Sequence, residues 1–148
     1  MRTVQDILRT KGTAIWSVTP DTTVYDALRL MAEKNVGAVL VLEEDCIAGV
    51  LSERDLARKV ALQGRTPQDT RADEIMSRRV VGVGPNQTVE ECMAIMTDKR
   101  IRHLPVVDGD EVVGVISIGD VVKAIISQQE FMIEQLENYI TGTPYRPE

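Results

Sequence analysis

Gly49-Val50-Leu51-Ser52-Glu53-Arg54-Asp55 and Gly114-Val115-Ile116-Ser117-Ile118-Gly119-Asp120 are two versions of one heptapeptide, Gly-apolar-apolar-Ser-x-x-Asp. The second lies at an offset of 65, Asp55 to Asp120, and the same offset carries backwards without a gap. Pro20 falls on Pro85, Thr23-Val24 on Thr88-Val89, Met31 on Met96, Lys34 on Lys99, Val41 on Val106 and Asp45 on Asp110. About a dozen of roughly 43 positions are identical from Val18 to Val60, and a register kept that long marks an internal duplication.

Each copy reads outward from its heptapeptide in the same way. The apolar runs Ala38–Leu42 and Ile47–Leu51, and their partners Leu104–Val107 and Val112–Ile116, have the length of paired strands, and Asp108-Gly109 is a strong hairpin signal between the second pair. Upstream, Val24, Ala27, Leu28 and Met31, and Val89, Cys92, Met93 and Met96, recur at helical spacing. Thr88-Val89-Glu90-Glu91 starts its helix as a capping box, and Thr23-Val24-Tyr25-Asp26 is the shorter-armed form. Before each helix, Ala14–Val18 and Val80–Val83 end near a proline and predict a short strand. Ser52 and Ser117 open a second helix. The unit is β-α-β-β-α, an α/β (α+β) class.

The domain plan follows as a first unit over residues 1–62, a polar linker over 63–70 containing Gly64 and Pro67, a second unit over 71–126, and an extension over 127–148. Val4-Gln5-Asp6-Ile7-Leu8 and Ala72-Asp73-Glu74-Ile75-Met76 resemble one another and precede each copy as a lead-in helical turn. Beyond Asp120 the copies diverge. Val122, Ile125, Ile126, Met132, Ile133, Leu136, Tyr139 and Ile140 predict a long amphipathic helix ending near Gly142, whose apolar stripe one unit cannot cover, so a homodimer is expected.

Composition excludes several roles. Aromatic residues are 3 % of the chain, so the core is aliphatic. A net charge of −6 without a basic run argues against nucleic-acid binding, which depends on phosphate neutralisation. No apolar run approaches the roughly 20 residues that span a bilayer, and the N-terminus has no apolar core of a signal peptide. Cys46 and Cys92 form no C-x-x-C pair and are expected to pack as small hydrophobes in a reducing cytoplasm. No Gly-x-Gly-x-x-Gly, Walker loop, Gly-x-Ser-x-Gly or metal-ligand cluster is present, so no catalytic residue, metal site or required cofactor is expected.

The paired heptapeptides, the Pro-x-x-Thr-Val helix starts and Ile101-Arg102-His103-Leu104-Pro105-Val106-Val107-Asp108 resemble the cystathionine-β-synthase-type (CBS) domain family. The resemblance spans Val4 to Ile126, as a stand-alone pair of such domains. It implies two units packed sheet to sheet with pseudo-twofold symmetry, and clefts that take adenine nucleotides such as AMP, ADP, ATP or NAD. It implies one cleft from Ser52, Arg54 and Asp55 with Val80, Val81, Arg102 and His103, and another from Ser117, Gly119 and Asp120 with Ile15, Trp16, Gly37 and Ala38. The motif aspartates would hold the ribose hydroxyls, because a carboxylate accepts from both hydroxyls of a cis-diol. Arg102 and His103 would approach phosphate, where the first copy has Gly37 and Ala38.

Plainer readings stand beside these. Ser-x-x-Asp is also a capping box, Trp16 is more often a core anchor than a base platform, and His103 is a packed side chain as readily as a ligand. The implied function is a nucleotide sensor read by an unidentified regulated protein. The alternatives are a ligand-free assembly module and a redox-linked regulator acting through Cys46 or Cys92.

Overall fold

The computed structural model describes residues 2–141. The chain divides into two compact units, one formed by Ala14–Gly82 and the other by the first thirteen residues together with the chain from Val83 onwards. Mixed α/β units of small sheets and helices are what the duplication predicts, and the offset of 65 is visible bond by bond.

In the unit of residues 14–82, β1 (Ser17–Val18), α2 (Val24–Lys34), β2 (Ala38–Glu43) and β3 (Cys46–Ser52) follow in order, and the sheet order is β1-β2-β3. β1 runs parallel to β2, with Val18 opposite Val41. β2 and β3 form an antiparallel hairpin from Ala38↔Ser52 to Glu43↔Cys46, with a register shift between Val41 and Leu42. The other unit repeats this in α5 (Val89–Lys99), β4 (His103–Asp108) and β5 (Glu111–Ser117), paired from His103↔Ser117 to Asp108↔Glu111 with the shift between Val106 and Val107. Both helices end on a left-handed residue, Asn35 at φ 54° and Arg100 at φ 56°.

The two copies differ where Pro105 replaces Leu40. Leu40 N–H donates to the Trp16 carbonyl at 3.1 Å and so extends β1. Proline has no N–H to give. The strand expected over Val80–Val83 is therefore reduced to a single bridge, Val83 to Val106, made by Val83 N–H to Pro105 O and Val107 N–H to Val83 O.

The lead-in segments pack crosswise. α1 (Val4–Lys11) belongs to the same compact unit as the second repeat, and α4 (Ala72–Ile75) to the same unit as the first. Thr3 bridges Thr88, and Arg71 bridges Thr23. Val89 N–H donates to Arg2 O and Val4 N–H to Gln87 O; the counterparts are Val24 N–H to Thr70 O and Ala72 N–H to Thr22 O. The repeat boundaries in sequence and the packed bodies thus do not coincide. The segment expected to be a plain linker is partly built in: Pro67–Asp69 form a 3₁₀ turn, and Thr70 is buried with its hydroxyl donating to Thr66 O at 2.7 Å.

Each core is assembled from equivalent positions. Val24, Ala27, Met31, Val39, Val41, Leu51, Val60, Ala72, Ile75 and Met76 form one buried cluster. In the other unit Val89, Cys92, Met96, Leu104, Val106, Ile116, Val4, Ile7 and Leu8 are buried. Cys92 stands where the first copy has Ala27, and it fills its site as a small apolar group, as expected. Cys46 does not: it is exposed, because it opens β3 at the rim of the hairpin opposite Glu43.

The helices after the motifs diverge as the sequence predicts. α3 (Glu53–Leu56) runs into a π-helical turn, Ala57–Ala61, and the chain turns away at 62–64. α6 (Ile118–Thr141) is continuous across the boundary expected at residue 126, and Gly142, its expected stop, lies outside the described residues. Val122, Ile126, Phe131, Met132, Ile133, Leu136 and Tyr139 on it are exposed. Among the described residues no helix is long and apolar enough to cross a membrane.

Candidate functional site

Ser52 ends β3 with extended backbone, and its hydroxyl accepts the Asp55 N–H at 3.2 Å as the N-cap of α3. Asp55 answers through Oδ2, which accepts the Ser52 N–H and hydroxyl, both at 3.0 Å. Its Oδ1 lies 3.2 Å from Lys59 Nζ, one turn further on, and that ammonium also donates to Ile75 O at 2.9 Å. The capping box anticipated as the plainer reading is therefore real. It also points the carboxylate at the corner between strand and helix, with about a sixth of the side chain (17 %) in solvent.

The second motif is built alike. Ser117 ends β5, its hydroxyl accepts the Asp120 N–H at 3.2 Å, and Asp120 Oδ2 accepts the Ser117 N–H at 2.8 Å. Lys11, the last residue of α1, reaches the same Oδ2 at 2.6 Å and donates to Val115 O at 2.8 Å. Burial works to raise the Asp120 pKa, but the Lys11 ammonium and the Ser117 N–H outweigh it and hold the carboxyl below its usual range.

Within each unit the residues before the central hairpin lie at the motif's own strand end. Gly37 O accepts the Glu53 N–H at 3.0 Å, and Ala38 is in register with Ser52. Arg102 O accepts the Ile118 N–H at 2.8 Å, and His103 is in register with Ser117. Arg54, Arg102 and Gly119 are exposed, and Ile15, Val80 and Val81 are half-buried. Trp16 is not a core anchor: 36 % of it is exposed, and Lys34 Nζ stands 4.5 Å from its ring centroid, a cation–π contact. It lies just before a strand of two residues, too short to carry it inward. Sequence reasoning missed Lys11 and Lys59. The repeat pattern hides them, since the offset pairs Lys59 with Ala124, and the lead-in similarity pairs Lys11 with Arg79.

Among the described residues no group of His, Cys, Asp and Glu could hold a metal ion. Burial, helped by the neighbouring Glu91 charge, pushes the Cys92 thiol up to about 11, which keeps it protonated and unreactive near neutrality.

The CBS-domain family model matches residues 4–62 and 72–127. The chain belongs to the CBS family. It carries two CBS domains in tandem, and its relatives are proteins of the same kind. The mitochondrial CBS domain-containing protein CBSX3 of Arabidopsis thaliana is 38 % identical over 150 residues, covering 95 % of this chain and 72 % of that protein. The CBS domain-containing protein YhcV of Bacillus subtilis is 37 % identical over 120 residues, covering 81 % and 83 %. A solved structure of a protein with CBS domains from Burkholderia ambifaria has 52 % identity and a TM-score of 0.83, covering 86 % of this CBS pair and 96 % of that chain. The CBS domain pair of protein MJ0100, solved with 5′-methylthioadenosine and S-adenosyl-L-methionine, has a TM-score of 0.75 at 22 % identity, covering 86 % and 98 %, a likeness of fold.

Proposed function

We propose that this CBS pair is a non-catalytic regulatory module that binds an adenine nucleotide reversibly, with Asp55 and Asp120 as acceptors for the ribose cis-diol. The observation that carries the reading is the doubled corner: in each unit a serine-capped helix start holds one carboxylate at the strand end, partly open to solvent. A carboxylate can accept from both hydroxyls of a ribose cis-diol, and charge-assisted hydrogen bonds of this kind are about twice as strong as neutral ones. The MJ0100 pair, which shares the fold, was solved with two adenosine derivatives, and that lends the ligand class support. AMP, ADP, ATP and NAD are the candidates. Arg102 is the phosphate contact in this reading, with His103 beside it. Binding that favours one arrangement of the module shifts its population, and a partner protein reads the shift.

A thermal-shift panel of the four nucleotides tests this. A ligand at one hundred times its Kd stabilises the folded protein by about 2.7 kcal/mol. Chromatography after incubation returns the nucleotide intact; steady hydrolysis above a protein-free control overturns the non-catalytic reading. Arg102→Ala weakens AMP more than adenosine, whereas Asp55→Ala and Asp120→Ala weaken both.

A second reading is favoured by the exposed side chains of Phe131, Met132, Ile133 and Leu136 on α6. They suit self-association into a homodimer, and a module serving assembly alone would show no stabilisation at millimolar nucleotide.

A further inference from the structure

In both units a lysine ties the motif carboxylate to the lead-in helix, and the two lysines come from opposite ends of that tie. Lys11 belongs to the lead-in helix α1 and reaches the motif, where it bonds Asp120 at 2.6 Å and Val115 O at 2.8 Å. Lys59 belongs to the motif helix and reaches the lead-in segment, where it bonds Ile75 O at 2.9 Å while standing 3.2 Å from Asp55. The duplication did not copy this contact, since the residues at the two matching positions are Arg79 and Ala124. The same bridge is made twice from unrelated positions. In the unit of Asp55, moreover, Lys59 sits in the π-helical turn Ala57–Ala61, which has no counterpart in α6. Isolated π turns occur frequently at functional sites.

Lone pairs decide what a ligand must do here. A carboxylate offers about four acceptor positions. Asp55 spends two on the Ser52 N–H and hydroxyl and one on Lys59, and Asp120 likewise accepts from the Ser117 N–H and hydroxyl and from Lys11, so at either carboxylate one hydroxyl can be added but a diol cannot. The capping bonds hold the start of the helix; the lysine, roughly half exposed, is the donor that can leave for water.

We propose that Lys11 and Lys59 are latches, which the ribose diol displaces from the motif carboxylates, so that each binding event releases the adjoining lead-in helix. This rests on the nucleotide reading above and adds its specificity element and its output. The lysine lowers affinity for any ligand that needs the whole carboxylate and leaves single-hydroxyl ligands little affected. Occupancy is thereby reported at α1 and α4, far from the motifs in sequence.

The test is calorimetry with adenosine, which carries the diol and no phosphate to attract an ammonium, on wild type, Lys11→Met, Lys59→Met, Asp55→Asn and Asp120→Asn. The lysine variants bind adenosine about two- to fivefold more tightly, the factor corresponding to a half-exposed ion pair no longer broken on binding. With 2′-deoxyadenosine the gain is absent. Amide hydrogen exchange supplies a readout independent of affinity: adenosine speeds exchange at Gly12 and Met76, whose N–H groups close the ends of α1 and α4 on Leu8 O and Ala72 O. Unchanged or weakened adenosine affinity in both lysine variants, with wild type binding, overturns the latch and leaves the nucleotide reading intact. Equal gains for adenosine and its 2′-deoxy form also overturn it. Adenosine binding that survives both aspartate variants overturns the ribose assignment, and the latch with it. If none of the five proteins binds adenosine, the latch falls; if none binds AMP either, the nucleotide reading falls with it.

Discussion

A Cβ added to Gly114 would lie 2.7 Å from Leu8 Cδ2, and one added to Gly49 would lie 2.7 Å from both Met76 Sδ and Ser77 O. The glycine of each heptapeptide is therefore the notch that receives the last apolar side chain of a lead-in segment. The two notches differ in how they can yield. Leu8 can rotate, but the Ser77 carbonyl is backbone bonded to Val50. Gly49→Ala is expected to cost about 1–3 kcal/mol, the usual range for overpacking, and Gly114→Ala distinctly less. Urea midpoints at constant slope check the order. Cys92 gives a pH signature at the same scale. Its thiol titrates near 11 in the folded protein against about 9.0 unperturbed, so the folded state favours the protonated form. Its contribution is fully present below about pH 9 and is lost as pH rises towards 11, because the unfolded chain ionises first. Cys92→Ala, which installs the residue found at position 27, should flatten that alkaline loss, and melting curves from pH 8 to 11 measure it. Thiol labelling of the native protein should modify Cys46 alone.

Helix ends and strand pairings show how far the sequence could be read. The hairpins were legible because apolar runs of strand length and turn residues are local signals: Glu44 and Asp45 take positive φ in one turn and Gly109 in the other. The loss of a strand at Val80–Val83 was less so. It hangs on one missing N–H, at Pro105, more than twenty residues downstream. The π turn and the crosswise lead-ins were also hidden, since both are set by tertiary partners rather than by spacing. Of the candidate site, the Ser-x-x-Asp corners were visible, but the lysines that occupy them were not, because a repeat reveals only what both copies share. Helix termination supplies a prediction at this scale. α5 ends on Arg100 in the left-handed region, where a Cβ costs about 1–2 kcal/mol, and α2 ends on Asn35, which tolerates it better. Arg100→Gly should stabilise the protein by about 1 kcal/mol and Asn35→Gly by less, as read from denaturant unfolding.

The whole molecule presents an apolar helix face and an interleaved chain. Leu136 is 59 % exposed and Ile133 is 55 % exposed, a large apolar area for a chain of net charge −6 to leave in water. Light scattering at micromolar concentration should give twice the 16.4 kDa chain mass, and Leu136→Glu with Ile133→Glu should return it to the single mass without lowering the melting temperature of each unit. The crosswise lead-ins have a consequence in time. A ribosome delivers a chain from its N-terminal side, at roughly 5–20 residues per second. Residues 14–82 emerge as one uninterrupted stretch and hold every segment their unit needs, so that unit can close while synthesis continues. α1 is in the opposite position. Leu8 fits against Gly114, and Lys11 against Asp120, so α1 must wait through more than a hundred residues of synthesis for its seat to exist. Residues 4–11 thus dock only once residues near 114–120 have been made, and until then the three buried side chains of α1, Val4, Ile7 and Leu8, are open to whatever meets a nascent protein first.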